Sequence, residues 1–241
     1  MLNQLLFIAL PYVALAIFLI GSIYRYLNRG FQVSSLSSQF LEGRKLFFGS
    51  QPFHWGLFFL FFGHLIAFLF PSAVIAWNGQ PVRLLILECA SFGFGISALW
   101  GVSALIYRRL TNRRVQIVTS KMDVIVFLVL LVQIISGLMV AYFNRWGSNW
   151  FAAFLTPYLR SIFVFDPQID AISTVNSIWV KVHVISAFSI IAIIPFTRFV
   201  HFLVYPVDYL WRSYQQVIWN WDRRSIRTSR SHNFGKKSEN N

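Results

Sequence analysis

Five long apolar runs dominate the hydrophobic pattern of the chain, at roughly residues 4–24, 53–71, 84–107, 122–143 and 178–204. Each approaches or exceeds the about 20 residues that a helix needs to cross a hydrocarbon layer roughly 30 Å thick. The polar residues collect between them. Arg25 to Gln51 is Ser-rich and carries Arg25, Arg29, Arg44 and Lys45, whereas 71–80 has no basic residue and the next is Arg83. A dense basic run follows at Arg108, Arg109, Arg113, Arg114 and Lys121. The longest connection, 144–177, sets Arg145 and Arg160 against Asp166 and Asp170. This pattern predicts an all-α integral membrane protein, a bundle of five transmembrane helices.

Composition agrees. The 241 residues are 56% hydrophobic and only 12% charged, too little polarity to cover a soluble domain. The formal charge of +13 does not form a nucleic-acid face, because the Lys and Arg residues sit between the apolar runs. Basic residues favour cytoplasmic loops, so the first and third connections and the tail are expected inside. The N-terminus is then out and the C-terminus in. Tyr24, Trp77, Tyr107, Tyr142, Trp179 and Tyr205 fall near the ends of the runs, where an aromatic belt belongs. Met1 to Ile23 has no basic residue ahead of its apolar stretch and no clear small-x-small site, so it reads as a retained first span. The expected organisation is a membrane domain over 1–219 and a basic, flexible cytoplasmic tail over 220–241. A single cysteine, Cys89, excludes an internal disulfide, c-type haem attachment and an iron–sulfur cluster of the chain's own.

Four of the five histidines lie in only two of the runs: His54 and His64 in the second, His183 and His201 in the fifth. An ionisable side chain within a bilayer is costly and calls for a reason. A lone membrane histidine reads equally well as a hydrogen-bond donor to a neighbouring helix, and a row of them as a proton path. The mirrored arrangement favours ligation. The second and fifth spans run in opposite directions, so depth pairs His54 with His201 near the inner face and His64 with His183 toward the outer one. Two ligands at each of two depths, with no thiol or carboxylate beside them, suit two bis-histidine haems better than a compact zinc or copper site. His183 and His201 are 18 residues apart, five whole turns and about 27 Å, whereas His54 and His64 are about 15 Å apart and roughly 80° short of whole turns. Helix tilt, a kink at Pro195 or a helix start at His54 is needed to align both pairs. Gly56, Gly63, Gly93, Gly95 and Gly137 are candidates for close approach of a flat macrocycle, or for ordinary helix packing. Arg198, one turn before His201, is a candidate partner for haem propionates or a snorkelling boundary residue. His232, in the polar tail, is not expected to be a ligand.

Two stretches carry a family resemblance. Phe53-His54-Trp55-Gly56 through Phe62-Gly63-His64, and Ile194-Pro195-Phe196-Thr197-Arg198-Phe199-Val200-His201 with Tyr205-Pro206-Val207-Asp208-Tyr209-Leu210, resemble the gamma subunit of respiratory nitrate reductase. Leu10-Pro11-Tyr12 and Leu19-Ile20-Gly21-Ser22 are also similar to that family, and the resemblance extends to about Val217. It implies a membrane cytochrome b with two b-type haems, taking electrons from quinol through the outer and then the inner haem. The implied partners are an iron–sulfur subunit and a molybdenum-containing catalytic subunit in a bacterial or archaeal cytoplasmic membrane; this chain itself would hold no nitrate site. The sequence departs from the family at the start of the third span, where a lysine associated with the quinol site is replaced by Leu84. Arg83, Glu88, Gly63 and Lys181 are the candidate quinol-site residues. Two alternatives keep different parts of this reading. One is a haem b subunit of a nitrite-oxidising or sulfur-metabolism (heterodisulfide-type) complex, with electrons flowing toward quinone or another acceptor. The other is a haem-free membrane anchor or proton-path protein.

Overall fold

The computed structural model of the chain describes residues 1–29, 38 and 41–203; the expected tail over 220–241, His232 and the Tyr205–Leu210 motif lie outside the described residues. Among the described residues five helices are long and apolar enough to cross a membrane: α1 (Leu2–Asn28), α2 (Arg44–Leu69), α3 (Pro81–Thr111), α4 (Lys121–Phe143) and a fifth apolar stretch, Ile178–Phe196. In that stretch the α-helix itself, α5, covers Ile178–Ile193. The chain is thus a multi-pass membrane protein with the helix count that its apolar pattern predicts. Boundaries moved where polar ends continue a helix past the apolar run. α2 begins at Arg44, well before residue 53, and runs through Pro52 without ending there. His54 is therefore inside a helix, not at its start.

The helices pack as an arc: α2 against α3, α3 against α4, α4 against α5, and α5 against α1. The closest union is α2 with α3, and glycines make it possible. A Cβ on Gly101 would fall 2.5 Å from the Phe53 nitrogen and 2.7 Å from the Gly49 carbonyl oxygen; one on Gly56 would fall 2.7 Å from the Phe94 oxygen. Backbones this close exclude any side chain, as small residues allow between membrane helices. In the order of packing, α3 and α4 separate α2 from α5, while His64 of α2 and His183 of α5 face each other. This separation matters because α2 and the fifth stretch carry the four histidines.

Both ends of the arc are tied by polar groups. At the end rich in arginine, Arg108 is 2% exposed and places its guanidinium on Glu42 Oε2 at 2.7 Å, Glu42 O at 2.7 Å, and Ser38 O and Oγ at 3.0 Å each. A buried arginine of this kind is tolerated because so many of its donors are met. Burial opposes ionisation of Glu42, but the Lys45 N–H, the Arg108 guanidinium and the Leu46 N–H outweigh it and hold the carboxyl below its ordinary value. At the other end the long connection is a packed cap, not an open loop. Tyr158, Ile162 and Ile172 from this connection form one core with Phe7, Val180, Val184 and Phe188. Tyr158 donates to Phe7 O at 2.8 Å, Tyr12 to Ile162 O at 3.1 Å, and Arg160 closes the end of α2 by donating to Phe68 O and Leu69 O. Those carbonyls are among the last of α2, which have no partner within the helix itself.

Gly101→Ala is expected to lower the melting temperature of the detergent-solubilised protein, at a cost of about 1–3 kcal/mol, because backbone atoms cannot yield to the added methyl group. The Glu42 tie has a defined pH sign. A carboxyl held below its ordinary value contributes stability that is present above that value and lost as pH falls through the folded-state value. The gap in melting temperature between the native chain and Glu42→Gln is therefore expected to narrow as pH falls below about 4.3.

Candidate functional site

The structure brings the four span histidines together as two pairs. His54 and His201 have ring centroids 6.3 Å apart, and His64 and His183 6.4 Å apart. A metal–imidazole bond is about 2 Å, and the ring centre lies roughly 1 Å behind the nitrogen, so two imidazoles that held one metal ion between them would have centres about 6 Å apart. Both pairs have that spacing. The depth pairing read from sequence is thus the pairing in space.

Each ring is also fixed in one tautomeric sense. Nδ1 of His54 donates to Ser50 O at 2.8 Å, with the Ser50 hydroxyl at 3.0 Å. Nδ1 of His64 donates to Leu60 O at 2.7 Å, that of His201 to Arg198 O at 2.6 Å, and that of His183 to Gln133 O at 3.0 Å. A proton on Nδ1 leaves the lone pair on Nε2, which is the arrangement metal-ligating histidines adopt. Three of the four carbonyls belong to the same helical turn as the ring they hold. His183 instead borrows its acceptor from α4, where Gly137 makes room: a Cβ there would fall 2.8 Å from the His183 Cε1 atom.

The mismatch in helical phase between the two spans is resolved at Pro195. α5 ends at Ile193; a 3-10 turn covers Ile194–Phe196, Thr197 is extended at φ −119° and ψ 176°, and a second 3-10 stretch covers Arg198–Leu203. His183 and His201 therefore do not share one continuous helix, and counting whole turns between them does not apply. The break frees carbonyl groups, and Arg25 of α1 meets two of them: its guanidinium donates to Pro195 O at 2.6 Å and Thr197 O at 2.8 Å. α1 comes close enough because Gly21 sits against the proline ring, where a Cβ would fall 2.9 Å from Pro195 Cβ.

The flanking residues divide into two groups. Around His183, Gln133 Nε2 lies 3.1 Å from His183 Nε2, the Ser136 hydroxyl lies 3.2 Å from Nδ1, and Ser186 donates to Gln133 Oε1. This uncharged network was not singled out from sequence, although Gln133 and Ser136 stand out as polar positions in the apolar run of α4. Near His201, Arg198 pairs with Asp123 Oδ1 at 3.1 Å and donates to Val118 O at 3.0 Å; Arg109 pairs with Asp123 Oδ2 at 3.2 Å. Asp123 is 8% exposed and closes a capping box with Ser120 at the start of α4. Sequence reading missed Asp123; the Ser120-x-x-Asp123 spacing is a local capping-box signal that could have marked the helix start, whereas nothing local signals the link to Arg198.

The candidate quinol-site residues have separate partners. Arg83 lies over the Trp77 ring at 4.9 Å, and Lys181 donates to Ser173 O at 3.3 Å. Glu88 accepts from Ser148 N at 2.9 Å and from its hydroxyl at 2.6 Å, and Asn78 donates to the same hydroxyl at 3.0 Å. The register that sets Gly101 on Phe53 and Gly56 on Phe94 puts Glu88 at about the depth of His64. Gly63, beside His64, has nothing within 4 Å of its Cβ direction, and the same holds for Gly93. Gly56, Gly95 and Gly137 instead meet Phe94, Leu138 and His183, so those three serve packing.

Comparison with known proteins now bears on this geometry. The family model for the nitrate reductase gamma subunit matches residues 3–220. The nitrate reductase gamma chain of Bacillus subtilis is 34% identical over 217 residues, covering 89% of this chain and 97% of that one. The respiratory nitrate reductase 2 gamma chain of Escherichia coli is 32% identical over 221 residues, covering 90% and 96% respectively. The nitrate reductase-like protein NarX of Mycobacterium tuberculosis is 31% identical over 222 residues, which are 89% of this chain but 33% of that longer protein. With the match running through all five apolar stretches and both histidine pairs, the chain belongs to the nitrate reductase gamma subunit family.

Proposed function

We propose that the chain is the di-haem cytochrome b subunit of a nitrate reductase-type complex, with His54 and His201 ligating one haem b and His64 and His183 the other. The observation that carries this reading is the pair of imidazole separations, 6.3 Å and 6.4 Å, with every Nδ1 committed to a carbonyl oxygen. The donor chemistry fits: two neutral imidazoles at each pair would hold a low-spin haem iron, and that group would supply a one-electron carrier. Among the described residues no three His, Cys, Asp or Glu side chains converge as a compact metal site would require. The spacing also supports ligation over a row of proton-carrying histidines, which has no need of face-to-face pairs.

The basic connections and the arginine-rich end of the bundle support an orientation with the N-terminus out and His54–His201 on the cytoplasmic side. Electrons then pass from quinol at the outer end, through the His64–His183 site, to the His54–His201 site and on to an iron–sulfur subunit. A molybdenum-containing subunit would complete the reaction with nitrate. Gly63, Glu88, Arg83 and Lys181 are the residues at the outer end that bind or orient quinol. The open approach at Gly63 and the depth of Glu88 support the first two most directly. Leu84, an apolar residue where the family's lysine stands, is the observation that favours the alternative, a nitrite-oxidising or sulfur-metabolism (heterodisulfide-type) complex with electrons flowing toward quinone or another acceptor.

His64→Ala or His183→Ala is expected to remove only the outer haem, and His54→Ala or His201→Ala only the inner one. Haem content and the reduced-minus-oxidised spectrum of the purified complex measure this; loss of the same haem from His54→Ala and His64→Ala contradicts the pairing. Direction is a separate measurement. A quinol added to the anaerobic complex is expected to reduce both haems, and nitrate to reoxidise them; reduction by nitrite with reoxidation by quinone would establish the opposite flow.

A further inference from the structure

The fifth apolar stretch delivers its second histidine in an unusual way. A regular helix would hold His201 through its own backbone ladder, but the chain leaves helical geometry between Ile193 and Arg198. What fixes the segment must come from elsewhere, and two charged residues on other helices provide it. Arg25 of α1 grips the carbonyl oxygens of Pro195 and Thr197. Asp123 of α4 holds the Arg198 guanidinium and is itself held by Arg109 of α3. The carbonyl oxygen of Arg198 in turn accepts from His201 Nδ1 at 2.6 Å. The broken segment is thus tied to α1, α3 and α4, and the last link of the chain is the hydrogen bond that orients the imidazole.

We propose that Arg25 and Asp123 are positioning residues for His201: they clamp the broken segment on either side of Thr197 and so set the angle at which this imidazole faces His54. The clamp gives Arg198 the part of a strut between Asp123 and the ligand. The proposal rests on the di-haem reading. The rings of His54 and His201 are inclined by 61°, against 35° for His64 and His183, so the two sites are distinguishable by the mutual orientation of their ligand planes.

The electron paramagnetic resonance signal of a low-spin ferric haem responds to that orientation, which makes the test site-specific. In the purified complex, Asp123→Asn and Arg25→Gln are both expected to alter the signal of the His54–His201 haem and leave that of the His64–His183 haem unchanged. Asp123→Glu and Arg25→Lys are expected to restore it in part. Tyr158→Phe, which removes a comparable buried hydrogen bond at the far end of the bundle, controls for general loosening and is expected to leave the signal of the His54–His201 haem unaltered.

A redox titration separates geometry from charge. The two substitutions change charge in opposite senses, so electrostatics alone would raise the midpoint potential in Asp123→Asn, lower it in Arg25→Gln, and leave both signals as in the native complex. That result overturns the proposal, as does an equal change at both haems or the same change in Tyr158→Phe. A native complex without b-type haem would remove the di-haem reading and the inference together; haem present with unaltered signals in both variants removes the inference alone.

Discussion

An imidazole that presents Nε2 to a metal must have its Nδ1–H held elsewhere, and within a bilayer almost every backbone carbonyl is already spent on a helix. All four paired histidines meet this constraint, and the solutions differ with location. His54 and His64 share a carbonyl four residues back, which an intact helix offers at the expense of a bifurcated acceptor. His183 turns across to Gln133 of α4, and this requires a glycine at position 137 and neighbours able to satisfy the Gln133 side chain. His201 uses Arg198 O, three residues back in the 3-10 stretch that follows the break at Pro195. Much of the polar chemistry inside this apolar bundle follows from supplying those four acceptors.

The helix break is the most costly of these solutions, since it leaves carbonyls without intrahelical partners. It also corrects the phase difference between the two ligand-bearing spans, which straight helices would retain. Gly21, Arg25, Asp123 and Arg198 then form a single arrangement: a close approach of α1, a guanidinium on the freed carbonyls, and an ion pair bracing the far side. The Gly101 crossing plays the complementary role on α2, since close packing against α3 draws that helix into the arc and turns His54 and His64 toward α5.

Sequence made the five spans legible because runs of apolar residues report bilayer thickness directly. It made the histidine pairing legible because depth along antiparallel helices is a matter of counting. The kink at Pro195 was foreseeable as one of three remedies, while a helix start at His54 was not the one adopted, because Lys45 to Gln51 continue the helix outside the apolar run. The cap over residues 144–177 was not legible. Its fixings are a tyrosine hydroxyl on Phe7 O and an arginine on the end of α2, and such long-range contacts leave no periodicity in the local pattern. Asp123 shows the same limit within one residue: its capping box lies within four positions, whereas Arg109 and Arg198 are brought to it only by packing.

The two histidine pairs end in different electrostatic surroundings, and on the proposed reading this bears on direction. His183 is surrounded by an amide and two hydroxyl groups, which carry no net charge. The segment bearing His201 lies beside Arg25, Arg109 and Arg198, and among the described residues Asp123 pairs with Arg109 and Arg198. Positive charge held near a metal centre favours its reduced form, and a low local dielectric lengthens the reach of that effect. On the di-haem reading we propose, the described arginines favour the reduced form at the His54–His201 site. By this term alone, the proposed flow would run from the uncharged surroundings of the His183 ring toward the segment that the arginines fasten.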